Sequence, residues 1–230
     1  MTNIFNFQDR QLTDGSQRIA LVLKLTMQAV LLLAYGHALF HQHWIHAALI
    51  CATIWATVLP RQIRKRYSLT LPPDLEIVVV GFVFATLFLG EIGDFYNLFW
   101  WWDVALHTAA GFFLGLVGFF MIFSLSRGVN LQNKFSPAFI SLFAFVFSVA
   151  LAGVWEIFEF GMDQCFGLNM QKSGLVDTME DLIVATLGSG AVALWGFAYL
   201  RYGRASFVSD WINQFISRNP VLVGLASGKA

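Results

Sequence analysis

Acidic and histidine side chains recur at helical spacing in two stretches of an otherwise apolar chain. The first stretch carries Glu91 and Asp94, then Asp103-x3-His107. The second carries Glu156, Glu159 and Asp163, then Asp177-x3-Asp181. Side chains three or four residues apart share a helix face, so each of these sets points one way. Ionisable groups inside a membrane span cost roughly 2.5–3.5 kcal/mol each on insertion scales, which makes them rare and marks them as functional. Carboxylates joined by an imidazole suit a hard or borderline divalent cation such as magnesium, manganese, iron or zinc. Glu, Asp and His ligands on facing helices also build carboxylate-bridged two-metal sites in soluble bundles. Carboxylates packed that closely cannot all stay ionised unless a cation or shared protons neutralise them. The set therefore reads as a metal centre, as a proton or ion pathway, or as a hydrogen-bonded network that only holds helices together. The expected metal ligands are Asp103, His107, Glu156, Glu159, Asp177 and Asp181, with Glu91, Asp94 and Asp163 as a further site. The similar layouts also suggest a duplication that pairs Glu91 with Glu156, Asp94 with Glu159, Asp103 with Asp177 and His107 with Asp181.

A second cluster comprises His37, His41, His43 and His46. Neutral imidazole ligates zinc and copper, and the His37-x3-His41 and His43-x2-His46 steps permit it, although interfacial histidines are commonly just solvated. Other chemistries lack support. Cys51 and Cys165 stand in no disulfide or zinc-ribbon pattern. No G-x-S-x-G elbow, P-loop or H-E-x-x-H occurs. Ser173, Thr178 and Cys165 have no histidine nearby in sequence to act as a base.

The elements that must position these residues are membrane helices. The chain has 230 residues, 57% hydrophobic and 12% charged, against about 25% charged in soluble domains. A net charge of zero argues against a nucleic-acid partner; membrane lipid is the expected surrounding. Spans need about 20 mostly apolar residues, and six are predicted, at roughly 19–39, 44–59, 75–93, 103–124, 136–160 and 179–200. They make one all-α integral membrane domain over residues 1–230, a polytopic helix bundle with a short second helix. The first apolar run reads as a retained helix, since Asp9 and Asp14 precede it and no small-x-small cleavage site follows. With both termini cytoplasmic, the inner segments hold Arg10, Arg18, Arg61, Arg64, Lys65, Arg66, Arg127, Lys134, Arg201, Arg204, Arg218 and Lys229. The outer segments hold Lys172 alone, and that asymmetry is what the positive-inside rule requires. Trp100-Trp101-Trp102 then falls at the outer boundary, and the acidic cluster lies in the outer halves of the spans. Gly111, Gly115, Gly118, Gly153 and Gly188 lie on the cluster's faces, where small residues bring helices close. Residues 206–217 form an amphipathic segment that either lies in the inner interface or packs on the bundle.

The ordered run Asp103-x3-His107-x3-Gly111-Phe112, Trp155-Glu156-x2-Glu159-Phe160 and Asp177-Thr178-x2-Asp181-Leu182 resembles the YjdF-like family of bacterial inner-membrane proteins, and more loosely VanZ-like proteins. The resemblance covers roughly residues 75–200. It departs in the Gly167–Gly174 stretch and at Met179-Glu180, where a glutamine is common. It implies a multi-pass inner-membrane protein without an agreed activity. The expected function is a membrane protein with a buried divalent-metal site that hydrolyses a lipid or polyprenyl headgroup. A metal- or proton-coupled transporter and a non-catalytic membrane subunit are the alternatives.

Overall fold

The computed structural model describes residues 14–67, 69–125, 135–167 and 169–220, and these are helical with no strand among them. Arg10, Arg127, Lys134 and Lys229, assigned above to inner segments, lie outside the described residues. Five helices are long and apolar enough to cross a membrane: Leu21–Phe40, Asp74–Ile92, Trp101–Leu125, Pro137–Phe166 and Leu175–Tyr202. The expected second span corresponds to a shorter apolar stretch, Trp44–Leu59. The protein is a polytopic α-helical membrane protein. It folds as two compact units, Met1–Phe99 and Trp100–Ala230.

In the first unit, α1 (Asp14–Phe40) and α2 (Trp44–Tyr67) form a hairpin. Leu31, Ala38, Ala47 and Ile50 are its buried core. The helix of α2 runs past the expected end at 59, through Pro60 to Tyr67, although hydropathy has ended and proline lacks the N–H that a helix interior uses. Next, α3 (Pro73–Val83) continues as a π-helical segment, Phe84–Ile92, and a short α4 (Phe95–Leu98) follows. Phe84, Phe88 and Ile92 of the π-helical segment pack on the hairpin core. Lys24 on α1 pairs with Glu76 on α3 at 3.0 Å. That pairing explains how a lysine is tolerated inside an apolar span.

In the second unit, α5 (Trp101–Leu125), α6 (Pro137–Phe166) and α7 (Leu175–Tyr202) form a three-helix core, with α8 (Phe207–Arg218) laid on it. The start of α6 is set by Ser136, whose side chain accepts the Phe139 N–H, with Pro137 in the first turn. It runs six residues beyond the expected 160 and stops at Gly167, which adopts φ 65°. A left-handed residue ends a helix at little cost only when it is glycine. Likewise α7 begins at Leu175, four residues earlier than expected, with Asp177 in its first turn, where the helix dipole favours a carboxylate.

Glycine brings these helices into backbone contact. A Cβ at Gly111 would sit 2.0 Å from the Ala185 carbonyl oxygen, and one at Gly188 would sit 2.1 Å from that of Thr108. Further along, Gly115 faces Val192 and Gly196 faces the Phe119 ring, so α5 and α7 run parallel in tight register. Gly118 faces Ala144 of α6 in the same way. Two buried serines tie the three helices together. Ser148 donates to the Gly111 carbonyl at 2.6 Å and lies 2.7 Å from the Ser189 hydroxyl, which also reaches the Ala185 carbonyl at 2.7 Å. Gly153 does not belong to this packing: nothing lies within 4 Å of its Cβ position among the described residues. It sits on α6 at a position that the neighbouring helices do not approach.

The amphipathic segment packs on its own unit. Val208, Ile212 and Phe215 are buried. Phe207 stacks on Phe112 at 5.8 Å and Phe215 on Phe120 at 4.2 Å, the same step along α8 as along α5. A reciprocal capping box between Ser206 and Ser209 starts this helix.

Candidate metal centre

Three helices of the second unit bring the acidic and histidine residues together. From α5 come Asp103 and His107, one turn apart on one face. From α6 come Glu156 and Glu159, three residues apart, and from α7 comes Asp181. Glu156, Glu159 and Asp181 are buried, at 4%, 8% and 4% exposure. Asp103 and His107 are partly exposed, so the cluster is graded from rim to floor. His107 lies at its centre: Nε2 is 3.4 Å from Asp103 Oδ1 and 3.8 Å from Asp181 Oδ2, and Nδ1 is 3.8 Å from Glu156 Oε1.

Two sets of donor atoms converge. Asp103, His107 and Asp181 form one, and Glu156, Glu159 and Asp181 the other, each with its atoms within 4.8 Å of one another. Ligands about 2.0–2.2 Å from a divalent ion lie roughly 3–4 Å apart. Each set therefore needs only small side-chain movements to close on an ion, and Asp181 is shared between the two. The contacts around His107 are longer than the 2.7–3.2 Å of good N–H···O hydrogen bonds. Glu156 Oε2 is buried and finds no hydrogen-bond partner among the described residues. Leaving such an atom unpaired costs about 1–3 kcal/mol or more; a cation would pair it, while Thr178 hydrogen-bonds to the same carboxyl group. The donor chemistry and this orphaned oxygen fit a divalent cation.

The remaining predicted residues have other surroundings. Asp177 lies one turn from Asp181 on α7, outside both donor sets. Asp163 shapes the loop that follows α6: its carboxylate accepts the backbone N–H of Met170 at 2.7 Å and of Gln171 at 2.9 Å. Glu91 and Asp94 belong to the first unit and are exposed. Asp94 adopts φ 60° and accepts the Asn97 side chain at 2.6 Å, as a turn residue does. The duplication expected from the two stretches fails on this point, because Glu156 and Glu159 are buried while Glu91 and Asp94 are not. His37, His41, His43 and His46 stand together in the first unit, around the turn that joins α1 and α2.

Two site residues escaped the sequence reading. Lys172 reaches Asp103 through an ion pair at the rim. Its signal was present, since it is the one basic residue assigned to the outer segments. The Trp155 indole N–H donates to Glu159 Oε1 at 2.8 Å and fixes that carboxylate on its helix. The i,i+4 step between them could have suggested the bond; the sequence reading used Trp155 only as part of the family run.

A helical bundle that buries three carboxylates around an imidazole defines a polytopic membrane protein with a candidate metal centre. The chain belongs to the family described as "Predicted membrane protein (DUF2238)", which matches residues 19–202. It is also similar to a Thermotoga maritima protein described as an uncharacterized protein, 28% identical over 123 residues. That similarity covers 54% of this chain and 62% of the relative, less than two thirds of the relative's length. No solved structure matches the chain.

Proposed function

We propose that α5, α6 and α7 hold a divalent cation near the extracytoplasmic ends of their spans and use it to hydrolyse a lipid or polyprenyl headgroup. The observation that carries this reading is Glu156 Oε2, buried without a hydrogen-bond partner beside two donor sets that share Asp181. Asp103, His107 and Asp181 are one ligand group, and Glu156, Glu159 and Asp181 the other. An ion held there by these residues would lower the cost of ionising water and polarise an ester or phosphoester oxygen. A carboxylate of the cluster left outside the ion's ligand set would accept the proton. The skewed distribution of Lys and Arg supports cytoplasmic termini and a multi-pass location in the bacterial inner membrane. Membership of the DUF2238 family agrees with the YjdF-like resemblance; the looser VanZ-like likeness rests on an Asp-x3-His helix joined to later acidic positions.

The packing beneath the cluster favours a one-sided centre over a transport path. One turn below His107 the backbones of α5 and α7 touch at Gly111 and Gly188. Ser148 and Ser189 continue polar groups further along, but both hydroxyls are engaged by backbone carbonyls at 2.6–2.7 Å. Between α5 and α7 that contact leaves no room for an ion.

The test is elemental analysis and thermal melting of the purified protein in detergent, before and after chelation, followed by a hydrolysis assay on phospholipid and polyprenyl phosphate. The wild type should carry a divalent metal and lose melting temperature on chelation. Restoring the ion at about a hundred times its Kd should return about 2.7 kcal/mol. His107→Ala and Glu156→Ala should lose metal and hydrolysis together. An absent metal with a chelator-insensitive melt returns the cluster to a proton-sharing network. A bound metal without hydrolysis keeps the centre and removes the enzyme.

A further inference from the structure

The first unit carries a cluster of chemistry that the centre above leaves unused. His37 closes the last turn of α1, His41 and His43 lie in the turn, and His46 sits in the first turn of α2. All four imidazoles are exposed. Their rings form a continuous row: His37 to His41 at 4.4 Å, His41 to His43 at 6.0 Å and His43 to His46 at 5.6 Å between centroids. The backbone holds them there. His41 N–H and His43 N–H donate to the carbonyls of His37 and Ala38, at 3.0 and 2.8 Å. Gln42 between them takes φ 58°, a left-handed conformation that a long polar side chain adopts at a cost. Phe40 meets the His41 ring edge-on at 5.2 Å.

The ring spacing has a chemical meaning. Imidazoles bound to one zinc ion have nitrogens about 2.0–2.1 Å from the metal, and a tetrahedral angle then places their centroids roughly 5 Å apart. The separations between successive rings bracket that value, and no three of their nitrogens lie within 4.8 Å of one another before an ion draws them together. His37 and His41, four apart at a helix end, are also the spacing by which a helix presents two imidazoles to one ion. Exposed side chains change rotamer within nanoseconds, so His43 can swing onto an ion that the first pair has captured. Neutral nitrogen donors without a carboxylate select borderline transition ions over magnesium or calcium.

We propose that the turn between α1 and α2 binds one borderline transition-metal ion, zinc or copper(II), through His37, His41 and His43, with His46 beside them. This site is separate in residues and in ligand chemistry from the carboxylate centre of α5–α7.

The test uses the full-length protein carrying His107→Ala, which removes the imidazole of the carboxylate centre, in detergent, purified through a histidine-free tag, stripped with chelator and titrated with copper(II) chloride. Electron paramagnetic resonance reads nitrogen hyperfine splitting from bound imidazoles, and zinc chloride titrated by calorimetry gives the affinity. The expected result is one copper(II) ion with multiple nitrogen couplings. His41→Ala should weaken zinc binding about tenfold or more, and the His37→Ala/His41→Ala pair should abolish the nitrogen signal. Glu156→Gln should leave that signal unchanged, which separates this site from the carboxylate centre. Copper binding without nitrogen coupling, or coupling that survives the paired substitution, overturns the proposal.

Discussion

Replacing Gly111 with alanine tests whether backbone contact between α5 and α7 is what assembles the candidate centre. The new Cβ would meet the Ala185 carbonyl oxygen at 2.0 Å, whereas ordinary contact begins near 3.4 Å. The helices must part by roughly 1.4 Å, and backbone cannot yield as the end of a flexible side chain would. Overpacking of this kind costs about 1–3 kcal/mol, and backbone against backbone belongs at the upper end. Alanine also returns up to about 1 kcal/mol of helix propensity. The net loss is about 2 kcal/mol, or about 4–8 °C in melting temperature for a chain of this size. The same substitution at Gly153 meets nothing within 4 Å and keeps only the propensity gain, so Gly153→Ala should melt about 1–4 °C higher. His107 lies one turn above Gly111, so Gly111→Ala should also loosen the His107–Asp181 approach and weaken retention of divalent ion. Fluorescence-detected melting of both variants, with metal analysis beside it, decides the matter. A Gly111→Ala protein that melts at or above the wild-type temperature, or two variants that shift alike, would refute the reasoning.

Two smaller tests address the packing and the loop. Ser148→Ala removes a bond to the Gly111 carbonyl while Ser189 still faces that oxygen at 3.3 Å. The loss should therefore be small, about 0.6 kcal/mol as for other interhelical bonds in membranes, measured by the same melt. Asp163→Ala leaves the Met170 and Gln171 N–H groups without their acceptor. Hydrogen exchange across residues 169–174 should accelerate and the Lys172–Asp103 pair should loosen, while the helical circular dichroism of the protein stays unchanged.

The apolar periodicity and the helical spacing of acidic residues were legible in the chain itself, because both depend on local rules. A span shows in twenty successive residues, and Asp103 must share a face with His107 whatever else the chain does. That was enough to name a membrane helix bundle and to nominate Asp103, His107, Glu156, Glu159, Asp177 and Asp181 for one cluster, of which Asp177 lies outside both donor sets. Element ends were less legible, since Gly167 ends α6 through its positive φ, which hydropathy does not register. Which faces meet is a long-range question, and there the tertiary structure decided. Similar spacing could not reveal that Glu156 is buried while Glu91 is exposed, or that Asp163 spends its carboxylate on a loop. Nor could a count of glycines separate Gly111, pressed against a neighbouring carbonyl, from Gly153, where an added Cβ would meet nothing within 4 Å among the described residues. A helix fixes the direction of its side chains within itself, but the partner each face finds depends on how closely other backbones can approach. In this protein Gly111 and Gly188 set that approach, and through it the meeting of His107 with Asp181.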